Sequence, residues 1–274
     1  MNAAAGLSGI TDSPASTNSL AWTNRIRSRQ CLEVAIVFSL ILAALWTNHA
    51  VQKILGALAF SCVVWSILRS RPQAATLGLR IAGTQRSLWI VGAALFSAAL
   101  AVGLALWAHT LHVVFQGVTL ESSFLAYMVW ALLQQFILQD FFLFRLSWLL
   151  PTRTAAVAVA GVLFAVAHLP TPLLAIAPLI WGIVACTLFL RYQNIYTLGL
   201  AHGILGISLA IAVPNPIHHQ MRVGLGYLRW HAEAHPSSQP HRPDGIHRRV
   251  GDGRCHQPAI LTPGSSVKDA REGC

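Results

Sequence analysis

From residue 31 to residue 216 the chain alternates long apolar runs with short polar breaks. The runs fall at about 31–46, 51–68, 88–108, 124–144, 154–168, 173–190 and 195–213, close to the ~20 residues that an α-helix needs to cross a hydrocarbon layer about 30 Å thick. Lipid offers backbone amides no water to bond, so each crossing must close its hydrogen bonds within a helix. The fifth run is short and ends at the helix-breaking Leu169-Pro170-Thr171-Pro172, and the seventh ends at Pro214-Asn215-Pro216. The predicted fold class is all-α: a polytopic transmembrane helical bundle of about seven spans, or eight if the region around 109–117 dips into the membrane.

The breaks carry an orientation signal. Arg25, Arg27 and Arg29 precede the first run, and Arg69, Arg71, Arg80 and Arg86 follow the second. The stretch 109–123 has no Lys or Arg, whereas Arg145 and Arg153 follow the fourth run and Arg191 follows the sixth. Basic loops recurring on alternate connections predict a cytoplasmic N-terminus. Residues 1–30, rich in Ala, Ser, Thr and Asn, read as a flexible basic arm. About thirty such residues precede the first apolar run, so that run is expected to stay as an anchor rather than be cleaved as a signal peptide. Residues 31–216 form the membrane domain. The His-, Pro- and Arg-rich stretch 217–274 is expected to be disordered, because it has too few aliphatics to bury a core. Its charge runs against the orientation pattern, and its histidines lack metal-ligand spacing.

Composition sharpens this picture. Hydrophobic residues make up 55% of the 274 and charged residues only 10%, against roughly 25% charged in soluble domains. With a mean hydropathy of +0.57, this excludes a soluble globular domain and makes the lipid bilayer the first partner. A net charge of +10 would suggest nucleic acid in a soluble protein, but here the basic residues sit between apolar runs and no nucleic-acid partner is expected. Cys31, Cys62 and Cys186 lie in apolar runs and read as small buried side chains, while Cys255 and Cys274 read as incidental tail thiols.

Polar side chains at membrane depth are costly and mark sites by default. The densest set is on the fourth run, where Gln134, Gln135, Gln139 and Asp140 interrupt an apolar helix. The fifth run adds Phe164-Ala165-Val166-Ala167-His168, and the seventh adds Gly199-Leu200-Ala201-His202-Gly203. Counted from the basic helix ends at 1.5 Å per residue, Gln134 and Gln135 lie roughly 16 Å deep, His202 roughly 12 Å and His168 roughly 20 Å. The three helices can meet near mid-membrane, aided by the close approach that Gly199 and Gly203 allow.

The order of a paired polar motif, Phe-x-x-x-His and then a second His on its own helix resembles the CPBP intramembrane proteases, which include the CaaX prenyl endopeptidases. The resemblance covers about residues 130–209. In that family the first motif reads Glu-Glu-x-x-x-Arg. Laid on this chain it falls on Gln134, Gln135 and Gln139, and the Asn or Asp of the third motif falls on Gly206. The resemblance implies an intramembrane endopeptidase acting on a membrane-embedded or lipidated protein, located in the inner (plasma) membrane of a bacterium. It implies His168, His202, Gln134 and Gln135 as catalytic-site residues, with Gln139, Phe164 and Gly206 contacting substrate. Water activation falls to the glutamates and the second-motif His in such enzymes, and oxyanion stabilisation to the third motif. Here amides replace the carboxylates, and an amide has no basic lone pair at neutral pH. Asp140 lies five residues beyond Gln135, roughly 140° around an ideal helix, and is not expected to substitute. Two histidines without a carboxylate make a poor zinc site, so no tightly bound metal or other cofactor is expected. A pseudoprotease that binds or escorts a membrane partner is the alternative. A transporter is a third, which the lack of an evident internal repeat disfavours.

Overall fold

A computed structural model describes residues 14–70, 77–79, 81, 84–111 and 120–234. Among these the structure is helical: α1 (Pro14–Leu45), α2 (His49–Ser70), α3 (Leu88–Trp107), α4 (Leu120–Phe136), α5 (Phe144–Leu149), α6 (Arg153–Val166), α7 (Pro172–Tyr192), α8 (Ile195–Ala212), α9 (Asn215–His218) and α10 (Leu225–Ala234). A π-helical segment, Ile137–Leu143, joins α4 to α5 without a break. Six helical stretches are long and apolar enough to cross a membrane, and α6, with 14 residues, is shorter. At 1.5 Å per residue α6 reaches only about 21 Å, as the proline-terminated run predicts. The chain is an integral membrane protein. Its large apolar side chains stand outward, with Trp107 83% and Phe96 73% exposed, a surface fit for acyl chains and not for water.

Two helix pairs hold the centre together through glycine. A Cβ on Gly199 would fall 2.9 Å from the Leu132 backbone, and one on Gly203 would overlap Met128, so α8 lies against α4 at a distance only glycine permits. Gly161 and Gly182 do the same for α6 and α7, where a Cβ on Gly182 would sit 3.2 Å from Gly161 Cα. Short polar caps set the helix starts. Thr152 accepts from the Ala155 amide at 3.1 Å, and Asn194 accepts from the Thr197 amide at 3.0 Å.

Three sequence expectations change. The flexible arm does not extend to residue 30, because α1 is already helical from Pro14; residues 1–13 lie outside the described residues. The expected disorder from residue 217 does not begin there either. Residues 215–234 form α9, a 3₁₀ turn and α10, and the turn region is pinned by Thr171 donating to the Arg222 carbonyl at 3.1 Å and the Gly224 amide donating to Leu169 at 2.9 Å. The rest of that tail, 235–274, lies outside the described residues. Finally, Arg145 is not a loop residue. It is 2% exposed and donates to Glu33 at 3.1 Å, to the Phe141 carbonyl at 3.3 Å and to Ser66, with its guanidinium over the Phe141 ring at 4.1 Å. Glu33 also accepts from Ser66 and from Arg29. A charge at this depth persists only when paired, and this pairing ties α1, α2 and α5 into one unit.

Candidate functional site

His168 sits just past the end of α6, where Phe164 lies one helical turn before it. Its Nδ1 is 2.7 Å from the Phe164 carbonyl. A carbonyl can only accept, so Nδ1 carries the proton of the neutral ring and Nε2 keeps its lone pair. His202 is placed by α8. Its Nδ1 lies 3.2 Å from Gln135 Nε2. Gln139 Nε2 in turn donates to Gln135 Oε1 at 3.1 Å. That bond orients the Gln135 amide with its NH2 toward His202, so the imidazole accepts at Nδ1 and donates from Nε2.

Phe164 joins the two histidines edge-on, with ring centroids 4.8 Å from His168 and 5.6 Å from His202. Both imidazoles border an apolar cavity of about 990 Å3 walled by α1, α2, α3, α4, α6, α7 and α8. Gln134, Phe164 and Gly206 line it as well. Gln135 is fully buried behind that wall. Gln135 of α4 and Phe164 of α6 thus both meet His202 of α8.

Gln139 departs from its expected place. It borders a second, smaller cavity on the far side of α4, together with Asp140. It touches the first through Gln135, while Ile137, Leu138 and Phe142 of the same π-helical segment line the histidine cavity. Gly206 leaves room that Tyr127 takes: a Cβ there would overlap the phenol hydroxyl and fall 2.9 Å from Tyr127 Cζ. Tyr127, Trp130 and Trp181 all border the cavity and went unnoticed in the sequence. Trp181 lies 6.1 Å from the His202 ring, yet α7 is apolar on every face and gives no periodicity from which its inward side can be read. Among the described residues no Asp or Glu lines the histidine cavity. Among the described residues no group of three or more His, Cys, Asp or Glu is placed to hold a metal ion.

The stretch 120–207, which holds every one of these motif residues, matches the family model described as type II CAAX prenyl endopeptidase Rce1-like. Over this stretch the chain is similar to that family. The Rce1-like stretch runs from the start of α4 through most of α8. No curated protein and no solved structure matches the chain.

Proposed function

We propose that this protein hydrolyses a peptide bond in a membrane-embedded or lipidated protein segment held in the histidine cavity, with His168 as the base. One observation carries the reading: His168 and His202, bridged by Phe164, share one wall of a large apolar cavity inside the Rce1-like stretch. The cavity is at the upper end of the size of small-molecule sites and suits an isoprenoid or an apolar helix turn. His168 Nε2 takes a proton from a water hydrogen-bonded to the Gln134 amide as that water attacks the peptide carbonyl. It then returns the proton to the leaving amine. His202 Nε2–H stabilises the oxyanion. Without a carboxylate to raise the basicity of the water, turnover is slow.

The test is release of the C-terminal tripeptide from a farnesylated CAAX peptide by the full chain in liposomes, followed by mass spectrometry. His168→Ala is expected to reduce release about 100-fold or more, the usual contribution of a general base. Gln134→Glu, which puts a carboxylate on the same water, is expected to increase release. The amides Gln134 and Gln135, which stand where the first motif of the family has carboxylates, support a second reading, a binding or escort protein of the same cavity. Under that reading the farnesylated peptide is retained without release, and His168→Ala changes nothing.

A further inference from the structure

Tyr127 borders the histidine cavity and has no part in the hydrolysis set out above. Its place follows from the packing of α4 on α8. Leu132 lies against Gly199, Met128 against Gly203 and the Tyr127 hydroxyl against Gly206, so the two helices run antiparallel. Gly206 follows His202 by one turn of α8 on the same face, and both border the cavity. A Cβ at Gly206 would stand about 5–6 Å from that of His202. Glycine leaves that place empty, and the Tyr127 hydroxyl fills it.

The imidazole is turned to suit this neighbour. His202 Nδ1 faces Gln135, which lies two turns beyond Tyr127 on α4, about 12 Å along its axis. Nε2–H, on the other edge of the ring, is left toward the Tyr127 end of the cavity. The hydroxyl is also uncommitted. Ser97 and Ser208 border the same cavity but donate to the Ala93 and Leu205 carbonyls at 2.9 Å and 2.8 Å. The Trp181 indole N–H is buried within the wall. Tyr127, which is half-buried, bonds to none of the described residues. A neutral O–H gains little from a neutral carbonyl and more as that oxygen takes on charge, which is the condition for accelerating a reaction rather than only binding its substrate.

We propose that Tyr127 is a second oxyanion donor, its hydroxyl hydrogen-bonding the peptide carbonyl oxygen beside His202 Nε2–H as water attacks. The assignment rests on the hydrolysis proposed above. No proton changes hands at this atom. The phenol keeps its proton while the carbonyl oxygen becomes negative, and the bond weakens again when the amine leaves and the carbonyl re-forms.

The experiment compares the full-length wild type with Tyr127→Phe, which keeps the ring against α8 and removes only the hydroxyl. Tripeptide release from the farnesylated CAAX peptide in liposomes is expected to fall about 100-fold in kcat, the usual loss for one oxyanion donor, with KM unchanged. Binding supplies a readout that needs no turnover. The probe is the same farnesylated peptide with a phosphinate in place of the scissile amide, a tetrahedral stand-in for the attacked carbonyl. Tyr127→Phe is expected to bind it about 100-fold more weakly than the wild type does, yet to bind the uncleaved peptide equally well. Equal losses for phosphinate and peptide would mark a packing role and overturn the assignment. Wild-type kcat and phosphinate affinity in Tyr127→Phe would overturn it too, and leave the hydrolysis standing on His168 and His202. A wild type that releases no tripeptide removes the hydrolysis itself, and the assignment with it.

Discussion

Arg145 illustrates how one residue can look ordinary in sequence and decide the fold. It follows an apolar run and reads as a loop cation, yet in the structure it is buried against Glu33 and Ser66. Its partner lies 112 residues earlier, so no local pattern announces the pair. Removing Glu33 strands the Arg145 charge away from water, whereas removing Arg145 leaves Glu33 its bonds to Ser66 and Arg29. Glu33→Gln is therefore expected to cost about 3–5 kcal/mol of stability, and the double change Glu33→Gln with Arg145→Met is expected to recover much of it. Unfolding of the purified variants in a detergent titration checks both. The histidines were easier to read. Each is polar at membrane depth, and burial cost alone marks it. What the sequence lacked was the tautomer, because the Phe164 carbonyl that fixes the His168 proton and the Gln135 amide that faces His202 are contacts of the folded chain.

At the scale of the element, helices were legible because lipid makes them obligatory, and their ends were legible where proline or arginine punctuates the chain. The small-residue spacing of Gly199 and Gly203 also predicted a close neighbour, which is α4. Gly203→Val would drive a branched side chain into Met128, and we expect a loss of about 1–3 kcal/mol by overpacking, read from the unfolding midpoint in the same detergent titration. The π-helical segment was not legible. A shift from α to π winding changes which face each following residue presents, and Ile137–Leu143 carries no proline or glycine to signal it. The 140° separation of Asp140 from Gln135 assumed an unbroken α-helix, and Gln139 was placed with the histidines for the same reason. The segment around 219–224 was missed because its order comes from bonds to Thr171 and Leu169 rather than from a core of its own.

At the scale of the molecule, the fold class followed from hydropathy, whereas the assembly of the site followed from helix packing that hydropathy cannot see. The Rce1-like stretch supplies α4, α6 and α8, and α1 and α2 complete the cavity from outside that stretch through residues such as Phe38, Gln52 and Val63. The central claim is that this cavity cuts a membrane protein. It is tested most directly by quantitative mass spectrometry of protein N- and C-termini in cells lacking this protein, rescued to equal expression with the wild type or with His168→Ala. We predict termini that appear with the wild type and are absent with His168→Ala. Identical termini in the two rescues would contradict hydrolysis and leave binding as the function of the cavity.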